Sequence, residues 1–217
     1  MSHISPKSTY YTIFGGLMVL KYSLALSDYV IPAPSGIFQT LIAEYRQYSL
    51  ATLNTMSVAI IGQILSVAMA FIIGITGREA SWLGSFIKVA AYNFQAYPIV
   101  ALAPILFILL GDGFLTRLLI AAMICYFPVL LSVLGIMSKP VDDIEHFYRI
   151  TGRMRWQLEV KIRTFENLSQ LTTVIAGSAT LAMAGTIVGE FIAANAGIGY
   201  NIRIALYQSD LGKILIA

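Results

Sequence analysis

The sequence predicts an all-helical, polytopic membrane protein, and its composition is the first reason. Of its 217 residues, 58% are hydrophobic and 12% are charged, whereas a soluble domain is about 45–50% apolar and about 25% charged. So few charges cannot cover the surface of a soluble domain of this size, which excludes a cytosolic globular enzyme, a disordered chain and a small secreted scaffold. Helix is the predicted element because lipid cannot satisfy free backbone groups and no barrel-type alternation is present.

Charge-free stretches supply the second reason, since about 20 consecutive apolar residues cross a hydrocarbon core as a helix. Four stretches contain no Asp, Glu, Lys or Arg, and the shortest of them holds 21 residues: 47–77, 89–111, 118–138 and 167–189. These stretches predict four spans.

A fifth span is predicted near the N-terminus, at 10–31, although Lys21 and Asp28 interrupt it. A Lys at a helix centre costs about 2.5–3.5 kcal/mol, so we expect Lys21 to face other helices rather than lipid. A cleaved signal peptide is the alternative, because an apolar run precedes a cleavage-like Ala-Leu-Ser at 25–27. Residues 211–217 resemble the opening of a sixth apolar helix. The expected architecture is five clear transmembrane helices plus a truncated or missing sixth, which fits either a shorter protein or an incomplete sequence.

The basic residues predict a cytoplasmic N-terminus. Short loops on the cytoplasmic side of a membrane protein carry an excess of Lys and Arg. With the N-terminus inside, eight basic residues are cytoplasmic, at 7, 78, 139, 149, 153, 155, 161 and 163, against 46, 117, 203 and 213 outside. No basic face with groove-reading or base-stacking elements accompanies them, so a nucleic-acid partner is not expected.

One segment, 139–166, departs from the apolar pattern with six basic and five acidic residues in 28 positions. Pro140 lies where a helix can start, and Gly152 lies where a left-handed cap is expected. A semi-apolar stripe between them and a second amphipathic piece after Gly152, with Leu158, Ile162 and Phe165 on one side, favour a docking element for a soluble partner over a plain connector.

Several motifs in their order resemble the permease subunits of ABC importers. They are Pro-Ile-Val-Ala-Leu-Ala-Pro at 98–104, Gly-Asp-Gly at 111–113, Tyr-Phe-Pro at 126–128, Glu190, and Gly-Ile-Gly-Tyr at 197–200. The chain is similar in particular to the sulfonate, nitrate and taurine branch, which also includes permeases for thiamine precursors and riboflavin. The resemblance runs from about residue 10 to 205 and implies one transmembrane domain over 1–217, with 139–166 as its cytoplasmic coupling loop.

The family's coupling motif reads Glu-Ala-Ala, three residues, Gly, nine residues, then Ile, any residue and Leu-Pro. Gly152 and Ile162 match it, but bulkier side chains replace the Ala pair, Leu-Pro is missing, and the nearest acid lies one residue early. The resemblance implies an ATPase-coupling loop formed by Glu145, His146, Phe147, Tyr148, Arg149, Gly152, Trp156 and Ile162. These departures leave two hypotheses: a divergent permease with a co-adapted ATPase, or a degenerate, non-transporting paralogue that acts as a membrane interaction protein.

The resemblance also implies partners and a mechanism. The partners would be a second permease copy in a homodimer, two ABC ATPase subunits and an extracytoplasmic solute-binding protein, in the lipid of a bacterial inner membrane. Alternating access would import a small organic solute, either a sulfonate-like or nitrate-like anion or a vitamin precursor. The chain has no Gly-Lys-Ser/Thr phosphate loop, so we expect no bound cofactor and no enzymatic activity, with ATP-Mg on the partner ATPases.

Polar residues within the spans are candidates for the translocation pathway. We assign Asn93, Gln95, Pro98 and Glu190 to it, with bonding to neighbouring helices or to freed carbonyls as the alternative. Small residues are expected to pack helices closely, at Gly62, Gly74, Gly177, Gly185 and Gly189. No catalytic or metal-binding residue is predicted, because ionisable groups within the spans are scarce and the chain has one Cys and two distant His.

Overall fold

A computed structural model describes residues 31–78, 82–139 and 156–217, together with six positions between 15 and 24. This part of the chain contains helices and no strands, which confirms the all-helical prediction. Its helices are α1 (Pro34–Thr76), α2 (Trp82–Gln95), α3 (Ile99–Leu110), α4 (Phe114–Met137), α5 (Trp156–Glu166), α6 (Leu168–Ala193), α7 (Ile198–Tyr207) and α8 (Leu211–Ile216).

Three of these helices, α1, α4 and α6, are long and apolar enough to cross a membrane. The predicted span 89–111 is wrong as a single helix, because α2 ends at Gln95 and α3 starts at Ile99 with a bend of 90°. Pro98 lies at this break, where it has no N–H to donate and disfavours a helical conformation of the preceding residue. The described residues therefore hold three spans, or four if the bent pair is one span, rather than five clear ones.

Most of the predicted first span, 10–31, lies outside the described residues. Lys21 is one of the described positions within it and is buried, which agrees with the expectation that it faces protein. The apolar segment at 211–217 forms the six-residue helix α8.

Contacts between the long helices define their directions. Asn54 bonds Arg117 and Ser66 bonds the Ala122 carbonyl, so residue numbers rise together and α1 runs parallel to α4. Thr55 bonds Glu190 and Gln63 bonds Ser178, so α6 runs antiparallel to α1. The bundle thus has two ends. We call them the α7 end, which holds residues 44–55, 111–117 and 190–213, and the α5 end, which holds 73–78, 134–139 and 156–170.

The bent α2–α3 pair carries the chain from one end to the other. Ile87 of α2 packs at Gly77 at the α5 end, and Phe94 stacks on Phe127 near the middle of α4. Phe107 of α3 lies in a buried cluster with Ile120 and Ala194 near the α7 end. These contacts favour a single broken span over a segment that returns to its starting side.

Close helix packing depends on several of the expected glycines. A Cβ on Gly62 would lie 3.0 Å from that of Ala121, and one on Gly185 would lie 2.8 Å from Ile124. Gly74 and Gly189 are similarly close to α4, whereas Gly177 has no neighbour within 4 Å among the described residues, so a packing role there stays a prediction. Small residues let α1 and α6 approach α4, which lies at the centre of the bundle.

Candidate functional site

At the α5 end, a polar network joins α5 to the long helices. Glu159 pairs with Arg163 one turn later at 3.0 Å and with Arg78, which follows α1, at 3.7 Å. The Arg163 side chain is 10% exposed and donates to the main-chain carbonyl of Met137, the last residue of α4. These contacts join α5 to the ends of α1 and α4.

Lys139 connects this network to α6, the fourth helix at the α5 end. Its Nζ donates to Asn167 Oδ1 at 3.3 Å and to Gln170 Oε1 at 3.1 Å, at the start of α6. Lys139 is the first residue of the predicted coupling loop at 139–166 and Glu159 lies within it, and both residues belong to this network. The described parts of the loop therefore contact the ends of α1 and α4 and the start of α6.

The coupling residues predicted from the sequence fall mainly outside the described part of the chain. Glu145, His146, Phe147, Tyr148, Arg149 and Gly152 lie there. Trp156 begins α5, and Ile162 is half-buried on that helix. The second amphipathic piece is a helix as predicted, but its Phe165 is 80% exposed, so its apolar side is not fully covered by this chain.

At the α7 end, Glu190 is fully buried near the C-terminal end of α6. Its Oε2 accepts hydrogen bonds from Thr55 Oγ1 at 2.8 Å and from the Gly199 N–H at 3.1 Å. Its Oε1 lies 3.7 Å from Arg117 Nη1. The carboxylate joins α1, α4, α6 and the first turn of α7, whose positive dipole end favours a negative charge.

Two glycines make this approach of α7 sterically feasible. A Cβ on Gly197 would overlap the Glu190 carboxylate, and a Cβ on Gly199 would overlap the Ile187 carbonyl oxygen. Gly197 also has a φ of +100°, a conformation that other residues rarely adopt. The Gly-Ile-Gly pattern noted in the sequence therefore has a packing role here.

Two arginines fix the loop between α6 and α7. Arg117 Nη1 donates to Asn54 Oδ1 at 2.6 Å and to the Ala196 carbonyl at 3.5 Å. Arg203 donates to the carbonyls of Ile192 and Ala194 at 2.9 and 2.6 Å. The basic-residue pattern predicts both arginines outside the cytoplasm but not the groups they contact, and the only signal for those contacts is that both charges flank the apolar runs of α4 and α6.

The remaining predicted pathway residues lie at the bend between α2 and α3. Asn93, Gln95 and Pro98 are exposed on this chain, and Asn93 Nδ2 donates to the Val89 carbonyl of its own helix at 2.9 Å. Glu190 is not part of this group, because its carboxylate accepts hydrogen bonds from Thr55 and the Gly199 N–H at the α7 end. Their assignment to a pathway remains a prediction.

A groove of about 260 Å³ lies beside this bend, between α2, α4 and the end of α1. Phe86, Phe94, Tyr126 and Phe127 contribute aromatic rings to its lining. Phe94 and Phe127 stack with ring centroids 5.9 Å apart, and Tyr126 meets Phe127 edge-on at 4.9 Å. Within the described residues, no group of three His, Cys, Asp or Glu side chains is placed to hold a metal ion.

Sequence relatives agree with this architecture. The chain is 36% identical over 211 residues to the riboflavin transport system permease protein RibX of Chloroflexus aurantiacus, covering 93% of this chain and 77% of that protein. It is 24% identical over 186 residues to the formylaminopyrimidine transport permease protein ThiX of Halalkalibacterium halodurans, covering 84% and 73%. It is also 23% identical over 206 residues to the trimethylamine N-oxide transport system permease protein TmoV of Pelagibacter ubique, covering 94% and 28%.

The family itself is established by a model described as "Binding-protein-dependent transport system inner membrane component", which matches residues 66–217. This match confirms the resemblance based on the motifs, and with the apolar helices it supports a multi-pass protein of the inner membrane. The chain belongs to the family of inner membrane components of binding-protein-dependent transport systems, the permeases of ABC transporters.

Proposed function

We propose that this permease imports a small, planar heterocyclic solute, a vitamin or vitamin precursor, by alternating access driven by partner ATPases. The 36% identity to a riboflavin permease over 93% of the chain supports this substrate class, and the relative named for formylaminopyrimidine transport points the same way. A sulfonate-like or nitrate-like anion is the alternative class carried over from the sequence motifs.

The proposed complex contains two copies of this chain, two ABC ATPase subunits and an extracytoplasmic binding protein. The N-terminus and the α5 end face the cytoplasm in this proposal, because Arg78, Lys139, Lys161 and Arg163 all lie at that end. Nucleotide is held by the ATPases and not by this subunit.

The α5-end network is the observation that carries the proposed coupling mechanism. An ATPase subunit docked on 139–166 pushes on α5, and the Glu159 ion pairs pass that movement to Arg78 at the end of α1. The bond from Arg163 to the Met137 carbonyl passes it to α4. The Glu190 contacts hold the opposite ends of α1, α4 and α6 together, so the helices rock about the α7 end.

Co-purification with the candidate ATPase tests this proposal. We expect the wild-type chain to retain the ATPase in detergent and Gly152→Asp to reduce ATPase retention and turnover, because the added carboxylate lies in the predicted docking segment. Gly36→Asp is the matched control, since Gly36 is exposed with open space around it on α1, away from the α5 end.

The outcomes separate the competing hypotheses. A wild-type chain that never retains an ATPase subunit would contradict transport and favour the degenerate paralogue. Equal ATPase turnover in wild type, Gly152→Asp and Gly36→Asp would show that the coupling segment is wrongly assigned. Uptake of taurine with no uptake of riboflavin or a formylaminopyrimidine would favour the anion class.

A further inference from the structure

The break between α2 and α3 lies near the middle of the membrane. Phe94, next to the last residue of α2, stacks on Phe127, which lies near the midpoint of α4. At about 1.5 Å of rise per residue, Phe127 is about 20 Å from the start of α4 and about 15 Å from its end, close to the centre of a hydrocarbon core about 30 Å thick. Irregular backbone at that depth is tolerated only against protein or a water-filled cavity.

The polar side chains beside the break lead to the same conclusion. Asn93 and Gln95 are exposed on this chain, next to the three non-helical residues 96–98. Polar side chains within a membrane span face the bundle interior or a water-filled path rather than lipid. The bend is therefore expected to face protein or a water-filled path and not the acyl chains.

The groove beside the bend has the lining chemistry of a site for a flat ring. We call it the bend groove; its aromatic side chains are Phe86, Phe94, Tyr126 and Phe127. A dry cavity of about 150 Å³ holds benzene, so the 260 Å³ of this groove accommodates a larger ring. Aromatic walls stack on planar π-systems, and a polar group in an apolar pocket, here the Tyr126 hydroxyl, fixes the orientation of a ligand.

We propose that the bend groove binds the planar ring of the transported solute during translocation. The stacked pair of Phe94 and Phe127 forms an aromatic wall against which the ring packs, and Tyr126 supplies the one polar group among the lining side chains. The lining residues, all within the described part of the chain, include no Lys or Arg, so the groove offers no cation to a sulfonate or nitrate. This inference rests on the proposed function and adds to it the place where the substrate is recognised within the membrane.

Uptake kinetics of the complete transporter in proteoliposomes test this proposal, with riboflavin and a formylaminopyrimidine as probes. Phe94→Leu and Phe127→Leu remove a ring while keeping an apolar side chain. Loss of one aromatic contact is expected to raise the KM for uptake about two- to tenfold. Phe38→Leu is the matched control, because Phe38 is 62% exposed on α1, away from the bend.

A conservative variant keeps the test valid if leucine disturbs assembly. Phe94→Tyr retains the ring and should retain wild-type uptake, and ATPase stimulation by the loaded binding protein should be the same in all variants. The proposed binding in the groove would be overturned by equal KM values for Phe94→Leu, Phe127→Leu and Phe38→Leu. It would also be overturned by an equal loss of uptake in Phe94→Tyr and Phe94→Leu. Either result would leave the proposed function intact. A wild-type transporter that takes up neither probe would overturn both.

Discussion

The two ends of the bundle are joined by different kinds of contact. At the α7 end, a fully buried carboxylate meets a hydroxyl, a main-chain N–H and an arginine within one packed cluster. At the α5 end, Glu159 is about a quarter exposed and its ion pairs join long, flexible side chains. Partly exposed ion pairs contribute little free energy, whereas breaking a buried pair is costly. The comparison indicates a rigid α7 end and an α5 end whose ion pairs cost less free energy to change.

Removing the buried acid should have the largest effect on stability. In Glu190→Ala, Arg117, which is 8% exposed, loses its carboxylate, and Thr55 and the Gly199 N–H lose their acceptor. Breaking a buried ion pair from one side costs about 3–5 kcal/mol. We expect a large fall in the thermal unfolding midpoint of the detergent-solubilised protein. Glu166→Ala, at an exposed acid, is the control, and equal midpoints for the two variants would contradict a rigid α7 end.

A glycine substitution at the α7 end should have the next largest effect. Gly199→Ala places a methyl group against the Ile187 carbonyl and 2.7 Å from the Phe191 nitrogen, and overpacking of this kind costs about 1–3 kcal/mol. Gly177→Ala is the matched control, because Gly177 has open space and alanine favours a helix interior by about 0.5–1 kcal/mol. The thermal unfolding midpoint should therefore fall in Gly199→Ala and rise in Gly177→Ala. An unchanged midpoint for Gly199→Ala would show that α7 is not tightly seated.

The smallest effect is expected where α8 meets α1. Lys213 Nζ lies 2.7 Å from Glu44 Oε1, and its hydrogen bond to that carboxylate raises the pKa of Lys213 above the ordinary 10.5. Because the pKa is raised on folding, the contribution is complete below pH 10.5 and is lost as pH rises through the folded-state value. A partly exposed pair contributes less than about 1 kcal/mol.

Comparing wild type with Lys213→Met checks this pH dependence. The difference in their unfolding midpoints should be present at pH 8 and should shrink at pH 11. Lys161→Met, at an exposed Lys on α5, serves as the control. A difference that grows with pH would contradict the assigned pair.

Counting charges predicted the long helices but not the break in 89–111. Proline carries no charge, so the charge-free stretch around Pro98 predicts one continuous span and does not reveal the bend. The prolines at 104 and 128 lie inside α3 and α4 without ending them, so proline alone does not identify a break either.

The sequence identified Glu190 through a motif but could not supply its partners. Thr55 and Arg117 lie 135 and 73 positions away along the chain, and only the parallel and antiparallel packing of α1, α4 and α6 brings them together. The same holds for the coupling loop. Its sequence predicts an amphipathic helix but not which helix ends the charged side chains contact.

The most direct test of the account is the number of solute molecules imported per ATP hydrolysed in proteoliposomes. Glu159→Gln should lower this ratio severalfold, because a neutral amide weakens the link from α5 to Arg78 and Arg163 while the ATPase remains bound. Glu166→Gln makes the same change at an exposed residue of the same helix and should leave the ratio at the wild-type value. An unchanged ratio in Glu159→Gln, or an equal fall in both variants, would contradict coupling through the α5 network.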